Sequence, residues 1–111
     1  MNPVELCIPS QAEYVTTLRL VTASIAQKMQ FDMEVIDDLR VCVSEAVNYL
    51  LPSNEVIRIR FREESDRLVI EICAGGEETE EEGYLLHRQI METLLDGVET
   101  EDETLRLIKL R

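Results

Sequence analysis

The chain has 111 residues, 23 of them acidic and 11 basic, and its formal net charge is −12. This length predicts one domain over residues 1–111, large enough for one core, which would be aliphatic because only 5% of the residues are aromatic. The negative charge excludes nucleic acid and anionic lipid as expected partners, because both are bound through clustered Lys and Arg. The sequence has no signal peptide and no apolar run of membrane length, which predicts a cytoplasmic protein without membrane contact.

The three cysteines, Cys7, Cys42 and Cys73, are widely spaced along the chain. An odd number with wide gaps fits neither a disulfide framework nor a metal-ligand spacing. Each cysteine lies in an apolar run, and a free cysteine behaves as a small hydrophobic residue. We therefore expect three buried thiols, no disulfide and no metal site.

The first half of the chain predicts one strand and two helices. A short apolar run over residues 4–8 is typical of a strand. A capping-box sequence then begins a helix over residues 10–30, with apolar residues at three- and four-residue steps. Asp32 is a suitable N-cap for the next helix, and Pro52 ends that helix at about Leu51, because the residue before a proline avoids the helical region.

The second half predicts three strands and one helix. From residue 55 apolar residues alternate with arginines, which predicts a half-buried strand with a basic outer face. The inward residues are Ile57, Ile59 and Phe61, and the outward residues are Arg58, Arg60 and Arg62. A turn over residues 64–66 leads into an antiparallel strand that ends at Cys73. A helix over residues 84–96 ends at Gly97 as a C-cap, and an acidic turn over residues 99–103 precedes a strand over residues 105–110.

The predicted order is strand, helix, helix, strand, strand, helix, strand. This order indicates an α+β fold, a two-layer sandwich with a mainly antiparallel sheet and about three helices on one face.

Several charged features have two open interpretations. The arginine stripe over residues 58–62 is either a docking surface or an outer sheet face whose arginines pair with Glu63 and Glu71. The glutamate block over residues 77–82 is either a solvated loop or an anionic mimic that meets a basic partner. His87, the only histidine, has no cysteine, aspartate or serine constellation around it in the sequence, so we expect it on the surface of a helix.

The order of elements and several strings resemble the anti-sigma-factor serine kinases of the GHKL superfamily, whose ATPase domains have the Bergerat, or histidine-kinase-like, fold. The strings include Val-Ser-Glu-Ala-Val around Glu45 and Met-Glu-Thr-Leu in the last helix. Together they occupy residues 8–10, 13–15, 19–20, 37–47 and 90–96. The resemblance implies this fold for the whole chain, with the chain as a shortened and degenerate member.

The resemblance implies a catalytic Glu at Glu45 and a Mg²⁺-binding Asn four residues later. Position 49 is a tyrosine, whose phenol does not replace an amide oxygen on Mg²⁺, and the nearest amide is Asn48. Asn48 stands three residues after Glu45, one residue short of the ideal position on the helix. The family's adenine-binding Asp-x-Gly matches residues 74–76, where Gly76 remains and the aspartate does not.

The remaining nucleotide contacts of the family are also altered. The glycine-rich lid matches the glutamate block, and the phosphate-binding amides match residues 85–88, Leu-Leu-His-Arg. We therefore expect Glu45, Asn48 and Gly76 to be remnants of a nucleotide site, with no confident catalytic residue, no metal and no cofactor. On this interpretation Glu45 is a partly exposed carboxylate that pairs with an arginine.

The resemblance implies a protein partner, either a sigma factor or an antagonist of the anti-anti-sigma type, bound through the first helix with Arg19. It also allows a homodimer. The first hypothesis is an inactive relative, a pseudokinase that acts as a binding module. The alternative is an ATP-dependent serine/threonine kinase with a divergent site built on Glu45 and Asn48, which would need Mg-ATP.

Overall fold

The computed structural model describes residues 2–50, 55–73, 82–101 and 104–111. The elements are β1 (Val4–Pro9), a 3₁₀ turn (Ala12–Tyr14), α1 (Val15–Lys28), α2 (Met33–Leu50), β2 (Val56–Glu64), β3 (Arg67–Cys73), α3 (Glu82–Leu94), β4 (Gly97–Glu101) and β5 (Thr104–Leu110). Among the described residues, three α-helices and a five-stranded sheet form the two layers. The predicted α+β sandwich is therefore confirmed, and its architecture is compatible with the GHKL ATPase fold.

The sheet has the strand order β1-β2-β3-β5-β4, and every neighbouring pair is antiparallel. Alternate residues of each strand point to opposite faces. The inner face carries the apolar residues and is covered by the helices. The shared core is formed by Leu18, Ile25, Leu39, Val43, Val47, Ile57, Ile59, Phe61, Leu68, Ile70, Ile72, Met91 and Leu107.

Short local signals define the two helices of the first half. Asp32 caps α2 as predicted, since its Oδ1 accepts a hydrogen bond from the Val35 amide at 2.9 Å. The turn between α1 and α2 uses Gln30 with a φ of 65°, in the left-handed region. The predicted start of the first helix is wrong by several residues, because a 3₁₀ turn precedes α1, which begins at Val15 without a side-chain cap.

The strand β4 was not predicted. Gly97 was expected to cap a helix and residues 99–103 to form a turn, whereas Gly97 begins β4 and pairs with Ile108 of β5. The helix α3 ends at Leu94, two residues before its predicted end at residue 96. A β-carbon on Gly97 would lie 3.3 Å from Ile108 Cδ1, so the absence of a side chain here allows the two strands to approach.

The outer face of the sheet carries many charged side chains, and their charges sum to zero. Its described residues include five arginines and five glutamates: Arg58, Arg60, Arg62, Arg67, Arg106, Glu5, Glu64, Glu71, Glu99 and Glu101. One row crosses all five strands with alternating charge, in the order Glu5, Arg60, Glu71, Arg106 and Glu99. These ten charges cancel, so the formal charge of −12 belongs to the rest of the chain.

The prediction of three buried thiols is correct only for Cys42. Cys42 is fully buried in α2, whereas Cys7 and Cys73 are exposed on the outer face of the sheet. Both occupy outward positions in strands whose alternate residues are apolar, so the apolar run around them did not indicate which face they occupy. Among the described helices, none is long and apolar enough to span a membrane.

Candidate functional site

Glu45 lies at the edge of the buried face of α2. Its neighbours Ala46 and Val47 are buried, while the Glu45 side chain is 27% exposed. Its Oε2 is hydrogen-bonded to Nδ1 of His87, which α3 brings to the same place. The carboxylate is partly exposed as expected, but its partner is a histidine rather than an arginine.

His87 was expected on the surface of a helix; it lies on α3 as expected, but it is only partly exposed. Its side chain is 30% exposed and contacts α2 through Glu45. Met91, one helical turn later, is buried in the core. Because residues four apart lie on one face of a helix, the position of Met91 was the signal that His87 points towards α2.

Arg88, the next residue of α3, is also held by the protein itself. Its guanidinium donates hydrogen bonds to Thr100 Oγ1 at 3.0 Å and to the Val98 carbonyl at 3.2 Å, both in β4. Its Nε contacts Glu92 Oε1 at 2.8 Å. The two polar side chains of the segment that the resemblance matched to a phosphate cradle therefore fasten α3 to α2 and to β4.

Asn48 lies one turn beyond Glu45 on α2 and is exposed. Within the described residues its side chain forms no hydrogen bond, and no group of three His, Cys, Asp or Glu side chains is arranged to hold a metal ion. Gly76, the glutamates of residues 77–81 and the side chain of Tyr49 lie outside the part of the chain that the structure describes. The structure thus presents one carboxylate engaged by His87 and one free amide.

Arg19 lies half-buried on α1, next to Leu20, which is 63% exposed. The Nε of Arg19 is buried without a hydrogen-bond partner. All eleven cationic residues lie in the described part of the chain, and there only Arg19 and Arg58 have a side chain without an ion pair or hydrogen bond. These two guanidinium groups are the available cations of the molecule.

The centre of the outer face is held by ion pairs around Glu71. Burial by itself would raise the pKa of the Glu71 carboxyl, but hydrogen bonds from Arg62 and Arg106 outweigh burial and lower it. The distances are 2.9 Å from Arg62 Nε and 3.3 Å from Arg106 Nη2. Glu63, on the inner face, contacts Arg111 at 3.4 Å. The interpretation of the arginine stripe as an outer face with ion pairs therefore holds for Arg62, whereas Arg58 has no ion pair among the described residues.

Two-thirds of the chain is similar to proteins named serine-protein kinase RsbW. The relative from Oceanobacillus iheyensis is 39% identical over 80 residues, which are 67% of this chain and 51% of the relative. The relative from Bacillus subtilis is 32% identical over 80 residues, 67% of this chain and 50% of the relative. A Bacillus cereus relative is 35% identical over 78 residues, 66% of this chain and 49% of the relative.

The chain spans about half the length of the curated relatives it matches. No protein-family model matches it. The identities of 32% to 39% support the resemblance that the strings around Glu45 and Met91 predicted. The chain is therefore a relative of the RsbW serine-protein kinases, within the anti-sigma-factor serine kinase group of the GHKL superfamily.

Proposed function

We propose that the chain is a regulatory protein-binding module of the anti-sigma type that acts without a bound nucleotide. Its partner is a sigma factor or an antagonist of the anti-anti-sigma type. The observation that carries the proposal is Arg19, a half-buried arginine on α1 with an unpartnered Nε beside the exposed Leu20. Arginine next to an exposed apolar side chain is typical of residues that dominate the binding energy of protein interfaces.

The charges around Arg19 indicate which chemical group of the partner contacts it. The protein carries many more carboxylates than cations, and yet none of the described ones pairs with Arg19. A carboxylate on the partner would accept charge-assisted hydrogen bonds from the Nη groups of Arg19. The charge of −12 would at the same time speed the approach of a partner with a basic surface.

The nucleotide-free part of the proposal is supported by the contacts of α3. A general base at Glu45 would need its carboxylate free to accept the proton of an attacking hydroxyl, and His87 already engages that carboxylate. Arg88, next to it, is bonded to β4 and to Glu92 rather than directed to a phosphate. These contacts support a function without Mg-ATP, and no step of the proposed function uses one.

The test is titration calorimetry of the purified chain against sigma factors and anti-anti-sigma proteins of its source cell, without nucleotide. We expect one of them to bind, and we expect Arg19→Ala to weaken that binding by about tenfold or more. Lys28→Ala is the matched control, because Lys28 lies on the same helix and its one side-chain hydrogen bond among the described residues is to Ser24, at 3.0 Å. The same titrations give the stoichiometry, and a homodimer remains part of the proposal.

The competing kinase function is tested with the same proteins. Binding of Mg-ATP in the micromolar range, or transfer of labelled phosphate to a partner serine that is lost in Glu45→Ala, would overturn the nucleotide-free proposal. Equal loss of partner binding in Arg19→Ala and Lys28→Ala would contradict the assignment of Arg19.

A further inference from the structure

A groove of about 550 Å³ opens on the outer face of the sheet, across β1, β2 and β3. Its size falls within the range of small-molecule sites. It lies on the opposite face of the sheet from α2 and α3, so it is separate from Glu45 and His87. The lining residues that matter chemically are Glu5, Cys7, Arg58, Arg60, Cys73 and Thr104.

Arg58 places in the groove a positive charge that is unpaired among the described residues. It stands in the middle of the groove, and its side chain has no ion pair or hydrogen bond in the described part of the chain. Arg60 is held only weakly, 3.8 Å from Glu5 Oε1, and both of these side chains are at least half exposed. The other carboxylate of the groove, Glu71, is already bonded to Arg62 and Arg106. The groove therefore offers two guanidinium groups to the carboxylates of a small ligand. Arg58 is unpaired within the described chain, and the contact of Arg60 with Glu5 is weak enough to be broken easily.

Two exposed thiols flank Arg58. The strand register places Cys7 opposite Arg58 on one side and Cys73 opposite it on the other. Residues directly opposite each other have β-carbons about 5 Å apart, so each thiol is within reach of a ligand held by Arg58. The Sγ of Cys73 also lies 3.2 Å from Thr104 Oγ1, a hydroxyl that can donate a hydrogen bond to a thiolate.

Cys7 and Cys73 do not form a disulfide with each other. One strand lies between them, which puts their α-carbons about 10 Å apart, at two strand spacings. A disulfide needs α-carbons closer than about 7 Å. A disulfide formed at either thiol must therefore take its second sulfur from outside the groove.

We propose that the groove binds a small disulfide that carries carboxylates, and that Cys73 forms a mixed disulfide with it. Arg58 and Arg60 hold the carboxylates, and Thr104 donates a hydrogen bond to the Cys73 sulfur. The Cys73 thiol releases its proton to water, and the thiolate attacks one sulfur of the disulfide. The Cys73–sulfur bond forms as the sulfur–sulfur bond of the ligand breaks, and the other half leaves as a thiolate that takes up a proton. The Cys73 sulfur is oxidised and the leaving sulfur is reduced.

The adduct would not be converted into a disulfide within the chain, because no second thiol reaches the Cys73 sulfur. Cys7 is too distant across the sheet, and Cys42 is buried in the helical layer. Burial, reinforced by the charge of Asp38, raises the pKa of Cys42 to about 12. Cys42 therefore serves as an internal reference that reacts only if the protein unfolds.

The experiment uses the full chain with Cys7→Ser, so that Cys73 is its one exposed thiol. The protein is incubated with glutathione disulfide, which carries carboxylates, and separately with bis(2-hydroxyethyl) disulfide, which is uncharged. Intact-mass spectrometry follows the rate, and peptide mapping locates the adduct. We expect one adduct, at Cys73, and we expect Arg58→Ala to slow the reaction with glutathione disulfide by about two- to fivefold while leaving the uncharged reagent unaffected.

Arg67→Ala is the matched control, because Arg67 lies on the same sheet face outside the groove and should change neither rate. The proposal is overturned if Arg58→Ala slows both reagents equally or neither. It is also overturned if Cys42 is modified first, since the reaction would then report unfolding. Circular dichroism of each variant establishes that its fold is unchanged before the rates are compared.

Discussion

The hydrogen bond between Glu45 and His87 involves the carboxylate that the family resemblance assigned to catalysis. The carboxylate joins α2 to α3, and both side chains are about one-third exposed or less. A hydrogen bond in such a setting contributes about 0.5–1.5 kcal/mol, and breaking it leaves a polar group poorly solvated. At this site the residues stabilise the packing of two helices.

A double-mutant cycle tests this structural role. We expect Glu45→Gln and His87→Ala each to lower the free energy of unfolding, with a coupling of about 1 kcal/mol between them, measured by urea denaturation. The pair Arg88 and Glu92 is a useful control within α3, because residues four apart on an exposed helix face couple by only about 0.3–0.5 kcal/mol. Additive effects of Glu45→Gln and His87→Ala would contradict the hydrogen bond.

The contacts of individual side chains were the hardest features to predict from the sequence. Glu45 was identified because its neighbours form a recognisable string, and Arg19 because it lies in another. His87 and Arg58 were noted in the sequence, but their contacts were not predicted, because these contacts depend on residues far away in sequence. His87 acquires its partner 42 residues away, and Arg58 is distinguished only by the absence of a partner in the described chain.

At the scale of elements, β4 is an edge strand that the sequence pattern did not predict. Its sequence, Gly-Val-Glu-Thr-Glu, has one aliphatic residue and two carboxylates. Such a composition is typical of a turn, and charged residues are also how proteins protect the edges of sheets. The hydrogen bonds of β5 and the contact of Val98 with the core override this local preference.

The close approach of β4 and β5 gives a prediction for Gly97. A β-carbon there would meet Ile108 Cδ1 at 3.3 Å and Cβ at 3.4 Å, closer than ordinary contact. We expect Gly97→Ala to lower the free energy of unfolding by about 1 kcal/mol through overpacking. Ile108→Val removes the closest atom, so the double variant should recover part of this loss in thermal or urea unfolding. A Gly97→Ala protein as stable as the parent would show that the strands separate without cost.

At the scale of the whole molecule, the charges are unevenly divided. The outer sheet face has balanced charge, while the helices, turns and remaining positions carry the whole excess of carboxylates. Repulsion among these carboxylates opposes the compact state. Salt weakens this repulsion, because the Debye length falls from about 30 Å at 0.01 M to about 8 Å at 0.15 M.

We therefore expect the free energy of unfolding to increase when sodium chloride is raised from about 0.01 to about 0.15 M. Glu55→Gln removes an exposed carboxylate whose side chain has no partner in the described chain. This variant should be more stable than the parent at low salt, by up to about 0.5 kcal/mol, and should gain less from added salt. A decrease in stability with salt would mean that the ion pairs of the outer face outweigh the repulsion.

The fold as a whole was predictable because its main signals are repeated many times. Alternation over β2 and β3 involves many residues, and each helix has several apolar positions on one face. The order of the strands was not predictable in the same way. The insertion of β5 between β3 and β4 depends on how the inner face is covered, which no local pattern encodes.

The turn between β2 and β3 has a consequence for the order in which the molecule folds. Ser65 and Asp66 both have a positive φ, 49° and 63°, as two-residue hairpins of type I′ require. The strands that they join are adjacent in sequence, whereas β1 must find β2 across two helices and β5 must find β3 across a third. Closing a short loop loses less conformational entropy than closing a long one. We therefore expect the β2–β3 hairpin to form early in folding and the other strands and helices to assemble on it afterwards.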